Sequence, residues 1–377
     1  MGASTSTRRR LEHLDGLRGV AAVVVVIFHV MAALAPQMTP GLDNGIASNI
    51  YFPFAVAWNG PFSVCIFFVL SGFVVTEAAL GRHNPLWIEF VIRFLRLAIP
   101  SAASVLFAYL LLKAFPVSAS NLFKYTQSPW LSFTYQNSIP GLLSALYDGM
   151  AGVFLTGGSL FNNVLWTMRP ELIGSMVCFM VSYFRLPQAR MAAAIAFGIA
   201  FWTVGRFEYE CFVLGILLRE AWASHNLKAS GVPLLILGLG IGSLNGDFSK
   251  VEFLSWFDVL LDPRRNGFLY PIGAAMVVYG CLTLKHPIRI LSSKTARFLG
   301  RISFPIYLIH VPIINTVLAE SLRIAFDSVF LTIAVLFLFA IVLAISGSIM
   351  SKWLDEPLLK SLSLLRLKLN NLRPATL

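Results

Sequence analysis

The sequence predicts an all-α, polytopic integral membrane protein, a bundle of about ten transmembrane helices with both termini in the cytoplasm. Three observations predict it. Hydrophobic residues make up 57% of the 377 residues and charged residues only 12%, about half the ~25% usual for soluble domains. Apolar runs recur at the length of a bilayer crossing, ~20 residues. Basic residues collect in alternate connecting segments. A water-soluble globule of this size could not cover its surface with so few charges, and disorder, collagen and coiled coil fail on the same composition.

The expected spans, in order, are 17–35, 61–80, 97–115, 164–184, 191–205, 209–223, 231–245, 268–284, 302–320 and 328–349. The fifth to seventh are short. Residues 1–10 read as a disordered basic tail, 11–350 as one transmembrane domain and 351–377 as a basic cytoplasmic tail. With the N-terminus inside, twenty-one of the 29 basic residues fall in inner segments. Six fall outside: Lys124, Arg206, Lys250, Arg264, Arg265 and Arg323. Lys113 and Arg169 lie within spans. That asymmetry sets the orientation and favours an even number of spans. It also explains the net charge of +11 without a nucleic-acid partner, for which no soluble domain is present.

The N-terminus has features of a secretory signal, with Arg8–Arg10, an apolar run and Ala33-Leu34-Ala35. The run is long, contains a histidine and meets Pro36 where cleavage would fall, so it reads as a retained first span. Met1-Gly2 with Ser6 fits the myristoylation pattern, but that pattern is short, and the stretch reads rather as a Ser/Thr-rich disordered tail. No Asn-x-Ser/Thr sequon occurs. The cysteines, Cys65, Cys178, Cys211 and Cys281, stand singly in separate apolar stretches, so neither a disulfide framework nor a metal site is expected. No internal repeat points to a duplicated transporter. The outer segments 36–60 and 116–163 are rich in aromatics: Tyr51, Phe52, Trp58, Trp130, Phe133, Tyr135 and Tyr147. They read as an interfacial belt or as a sugar-stacking surface. The tail 351–377 has Leu at helical spacing, as in an amphipathic helix on the cytoplasmic leaflet.

Ionisable residues inside a membrane are costly and are functional candidates by default. Arg18 and His29 are eleven residues apart on the first span. Eleven steps of ~100° return to within ~20° of the start and rise about 16 Å, so both lie on one face. A cation at the cytoplasmic mouth and an imidazole beyond the midplane suit a long anionic substrate such as coenzyme A. A snorkelling Arg and a packed His are the structural alternative. On the fourth span, Trp166-Thr167-Met168-Arg169-Pro170-Glu171 contains a proline that disturbs the helix, a feature tolerated where backbone lines a cavity. Glu171 sits at a depth similar to His29 and is expected to hold its tautomer and compensate the imidazolium. A local Arg169–Glu171 charge balance is the alternative. On the ninth span, Phe304-Pro305-Ile306-Tyr307-Leu308-Ile309-His310 is again polar and proline-disturbed. His310 is either a second catalytic or positioning group or a structural hydrogen-bonding one. Ser71-Gly72-Phe73 on the second span reads as close helix packing. Arg93 and Arg96 share one helical face and suit phosphate recognition or positive-inside anchoring.

Together these landmarks resemble one family. Leu14-Asp15-Gly16-Leu17-Arg18-Gly19 with His29 is similar to the R-x10-H signature of the membrane-bound acyltransferase-3 family. Phe67-Phe68-Val69-Leu70-Ser71-Gly72-Phe73 resembles its FFxLSGF motif, and Phe90-x-x-Arg93-x-x-Arg96-x-x-x-Pro100 its following basic element. Trp166–Glu171 resembles its W-[ST]-x-x-x-E element, Tyr307-Leu308-x-His310 its Y-L-x-H element, and Trp353-Leu354-Asp355-Glu356-Pro357 its closing stretch. The six run in family order over nearly the whole chain.

The resemblance implies transfer of an acyl group, in the first instance acetyl, from cytoplasmic acyl-CoA to a hydroxyl acceptor reached from the extracytoplasmic side. The acceptor class is carbohydrate or a lipid-linked glycan, and the expected location a bacterial inner membrane. Catalysis is then expected from His29, Glu171 and His310, and donor binding from Arg18, Arg93 and Arg96. Ser71, Trp166, Pro170 and Tyr307 are expected to be structural or positioning. No metal is expected, and an extracytoplasmic SGNH domain is not expected after the tenth span. A direct attack by the acceptor and an acyl-histidine relay both fit. Two readings from other classes remain open at this point. One is a proton-coupled transporter or glycan flippase using His29, Glu171 and His310 as a relay. The other is a non-catalytic membrane scaffold for glycan assembly.

Overall fold

A computed structural model of the chain describes residues 2–39, 53–82, 84–133, 139–224, 227, 231–244, 269–283 and 290–371. Among them every regular element is helical. In chain order the helices are α1 Gly2–Leu34, α2 Gly60–Leu80, α3 Leu86–Ala114, α4 Ser118–Thr126, α5 Pro129–Phe133, α6 Leu142–Tyr147 and α7 Val153–Thr156. There follow α8 Met168–Ser182, α9 Pro187–Thr203, α10 Phe207–Ala223, α11 Gly231–Ser243 and α12 Leu269–Thr283. The last four are α13 Lys294–Ile313, α14 Ala319–Ala325, α15 Val329–Met350 and α16 Glu356–Asn371.

Among the described residues six helical stretches are long and apolar enough to cross a membrane: Glu12–Leu34, Gly60–Leu80, Leu86–Ala114, Asn163–Ser182, Lys294–Ala325 and Val329–Asn371. The helices at the expected spans 191–205 and 209–223 have 17 residues each. At 1.5 Å per residue they reach about 26 Å, short of the ~30 Å hydrocarbon core. At the expected spans 231–245 and 268–284 the described helical residues are Gly231–Ser243 and Leu269–Thr283. Helix α1 starts at Gly2, in the stretch expected to be a disordered tail. A further apolar helix, Leu142–Thr156, occupies part of the expected outer segment 116–163. It packs on α3, where a Cβ on Gly149 would stand 2.6 Å from Ala102 Cα. Tyr51, Phe52, Tyr135, Lys228, Lys250, Arg264, Arg265, Lys285, Arg289 and Arg373 lie outside the described residues, as does the side chain of Phe133.

Helix starts follow local chemistry. Asn59 caps α2 by accepting from Phe62 N at 3.0 Å, with a proline in the first turn. Ser328 caps α15 through Leu331 N. Large apolar side chains such as Val329, Phe330 and Phe337 stand exposed along α15, as a lipid-facing helix requires.

The chain forms two compact units. The first comprises Met1–Phe28, Gln37–His83 and Ile173–Arg301. Its helices approach through small residues, which let backbones touch. A Cβ on Gly72 would lie 2.4 Å from Phe212 O, and one on Gly215 would lie 2.3 Å from Val69 O, so α2 and α10 cross at backbone contact. The two glycines around Arg18 have the same cause. A Cβ on Gly16 would meet Leu291 O at 1.9 Å and one on Gly19 would meet Gly300 N at 2.5 Å. Four charges tie α2, α9 and α10 together. Arg190 binds Glu220 through two 2.8 Å hydrogen bonds, Arg219 shares Glu220 at 2.8 Å and reaches Glu77 at 2.7 Å.

The second unit comprises His29–Pro36, Asn84–Leu172 and Ile302–Leu377. Here α3 is the hub. Ile88 and Ile92 form one apolar cluster with Leu358 and Leu362 of α16, flanked by Leu95, Ile99, Leu365 and Leu369. Arg366 donates to Glu89 at 3.1 Å, and Asn370 donates to Asn84 at 2.8 Å. The amphipathic tail helix thus turns Leu358 and Leu362 onto α3, while Leu359, Leu364 and Leu367 stay exposed.

Candidate active site

The site is built within the second unit. His29 lies in the last turns of α1, and His310 on α13 is wholly buried. His310 Nε2 and His29 Nδ1 are 3.2 Å apart, and the ring centroids 4.9 Å apart. The other nitrogen of His310, Nδ1, is 3.0 Å from the backbone carbonyl of Ile306. That carbonyl can only accept, so Nδ1 of His310 carries hydrogen. In neutral His310, Nε2 is then the acceptor, and the proton shared with His29 belongs to His29 Nδ1. Neutral His29 is left with its lone pair on Nε2. A chain of three groups, each fixing the next, gives His29 the tautomer of a base.

One aromatic neighbour packs on each ring of the pair. Ser128 donates to Ala32 O at 2.6 Å, one helical turn beyond His29. This brings the buried Trp130 to 5.4 Å between ring centroids from His29. Tyr307 stands 5.8 Å from His310 between ring centroids. Tyr307 OH donates to Val164 O at 3.0 Å, and Thr167 Oγ1 lies 3.0 Å from the same phenol oxygen. Thr167 itself donates to Val164 O at 3.0 Å. The short 3-10 helix Asn163–Thr167 therefore docks the proline-disturbed part of α13 before α8 begins.

Sequence-predicted residues separate into three groups. His29, His310 and Tyr307 come together. Arg93, Arg96 and Glu171 lie in the same unit. Arg93 and Glu171 form an ion pair, and His29 Nδ1 is bonded to His310. A guanidinium compensates a carboxylate in apolar surroundings through its charge and planar fork. Arg96 pairs with Asp355 of the closing Trp-Leu-Asp-Glu-Pro stretch and lies over the Phe304 ring at 5.1 Å. Pro170 is buried and Trp166 is partly exposed.

Arg18 and Ser71 belong to the first unit. Arg18 is 3.6 Å from Asp15, both partly exposed, and Ser71 is buried on α2. The four cysteines are buried and unbridged. Among the described residues no group of three His, Cys, Asp or Glu side chains could hold a metal. Sequence reasoning did not single out Ser128, named Thr167 only as part of the Trp166–Glu171 element, and gave Trp130 only a general aromatic role. Their signal is positional: each is polar or aromatic and buried, which only a three-dimensional neighbour explains.

A family model described as an acyltransferase domain matches residues 11–351. The chain is similar to the O-acetyltransferase PaAT-1 of Phomopsis amygdali, at 24% identity, over 82% of this chain and 74% of that protein. No solved structure matches it significantly.

Proposed function

The chain belongs to the acyltransferase-3 family, and from that premise we propose that it is a membrane O-acyltransferase using acyl-CoA, acetyl-CoA in the first instance, as donor. The proposed acceptor is a hydroxyl of a carbohydrate or lipid-linked glycan. One observation carries the reading: the buried His310 accepts from His29 Nδ1 and leaves the base lone pair on His29 Nε2.

In this mechanism His29 Nε2 takes the proton of the acceptor hydroxyl. The hydroxyl oxygen attacks the thioester carbon, the carbon–sulfur bond breaks, and the imidazolium returns the proton to the departing thiolate. Ester and free coenzyme A result. While His29 is cationic, the His310 lone pair stabilises it, the role a carboxylate plays in a serine hydrolase triad. Trp130 packs against the ring. We assign Arg93 and Arg96 donor phosphate contacts, for which a guanidinium's charge and planar fork are suited.

The test uses purified protein in nanodiscs with acetyl-CoA labelled in the acetyl group and membrane carbohydrate as acceptor. Label is expected in a base-labile ester, with one thiol released per ester. Uncoupler-sensitive glycan movement without acyl-CoA, and no ester, would instead establish a transporter. Arg18, which precedes His29 by eleven residues on α1, is proposed to meet a donor phosphate. Arg18→Ala should raise the KM for acetyl-CoA about tenfold, the effect of roughly 1.4 kcal/mol, with little change for the acceptor. An unchanged donor KM would remove Arg18 from the donor site.

A further inference from the structure

Helix α13 contains Pro305 and Pro312, and His310 lies between them. Proline has no N–H, so Pro312 cannot donate to the carbonyl one turn back, that of Leu308. Leu308 is wholly buried, and a buried carbonyl without a donor is costly. Two side chains from outside the helix take that acceptor. Ser104 Oγ of α3 donates to Leu308 O at 2.7 Å, and Asn162 Nδ2 donates to it at 2.7 Å. The second amide hydrogen of Asn162 goes to Ser104 Oγ at 2.9 Å. Both residues are buried, and the triangle fills both lone pairs of the carbonyl. Asn162 Oδ1 also accepts from Val164 N at 3.4 Å, starting the 3-10 helix whose Thr167 meets Tyr307.

A helix interrupted by proline bends where its neighbours let it. Here the interruption by Pro312 falls two residues from His310, and these two polar residues are what hold the interrupted carbonyl. Hydrogen bonding in helix packing needs one donor at most to satisfy such a carbonyl. Two donors that also bond each other fix its direction. We propose that Asn162 and Ser104 are positioning residues: they clamp the Leu308 carbonyl freed by Pro312, and so hold His310 at bonding distance from His29. The proposal deepens the acyltransferase reading and rests on it for its kinetic consequences.

The experiment compares wild-type protein with Asn162→Leu, Ser104→Ala and Ser104→Thr. It measures kcat, donor KM, thermal unfolding and the 15N spectrum of the imidazoles in histidine-labelled protein, with His29→Ala and His310→Ala assigning the resonances. Asn162→Leu is expected to lower kcat about 10- to 100-fold, the scale of a misplaced catalytic group. Donor KM should stay within about twofold, because the clamp touches no donor atom. The His29 and His310 nitrogens should lose their single-tautomer shifts. Ser104→Ala should lose less, since Asn162 still donates, and Ser104→Thr should restore both readouts. A wild-type kcat and wild-type nitrogen spectrum in Asn162→Leu would overturn the proposal. If that variant does not fold, the same result in Ser104→Ala would overturn it. Full activity in His29→Ala would sink the catalytic reading alone, since the nitrogen spectra would still report whether the clamp orders the two rings.

Discussion

His29→Ala should lower acyl transfer by about 10²- to 10⁴-fold, the range for removal of a general base, while the protein keeps its fold. The half-buried ring contributes little apolar packing, so thermal unfolding should change only slightly. The companion series separates the base from its support. His310→Leu removes the acceptor for His29 Nδ1–H and leaves that hydrogen buried without a partner, so kcat should also fall, though less. His310→Gln places an amide oxygen near the position of Nε2 and should recover part of the loss. Initial rates over the three variants check the order. Wild-type turnover by His29→Ala would refute the base assignment. An acid-quenched single turnover that leaves acyl label on wild-type protein, and none on His29→Ala, would replace proton abstraction with an acyl-histidine relay.

Glu220→Leu should be the most destabilising single change in the first unit. Glu220 is 2% exposed and Arg190 7%, and removing the carboxylate strands Arg190 and one bond of Arg219. Breaking one side of a buried ion pair costs about 3–5 kcal/mol. Arg190 keeps its bonds to the carbonyls of Phe184 and Arg185, each 3.0 Å, so the lower end is expected. Glu220→Gln keeps a hydrogen-bonding partner and should lose less. Arg190→Met combined with Glu220→Leu should recover stability relative to Glu220→Leu alone, because no unpaired charge is then left on α9. Thermal unfolding in detergent measures all three. A Glu220→Leu midpoint equal to wild type would mean that water reaches the network and that it does not hold α2, α9 and α10 together.

The helical class was legible because membrane solvation leaves the backbone few options. Charge scarcity and apolar run length report it directly. His29, His310 and Tyr307 were legible for a related reason: a polar group inside such a run is costly, so its presence asks for a function. The lengths of α9 and α10 were less legible, since hydropathy marks an apolar run without saying how far its helix extends. The helix Leu142–Thr156 was missed because glycines interrupt its pattern, yet Gly149 is what lets it touch α3.

Pairing was the hardest feature to read. Helical spacing says which residues of one helix share a face, and nothing about which helix comes opposite. Arg93 and Glu171 are 78 residues apart, Arg96 and Asp355 259, and His29 and His310 281. No local rule connects such pairs. The Arg93–Glu171 ion pair was thus not legible, and Asn162 and Ser104 passed as ordinary polar residues.

By itself the sequence determined the solvent this chain lives in, the helices that solvent enforces, the residues too costly to be there idly, and the family pattern they spell. Only the tertiary structure decided which of them touch. Covalent spacing acts along one helix over a few turns, whereas the tautomer of His29 depends on an acceptor brought in from the other end of the chain.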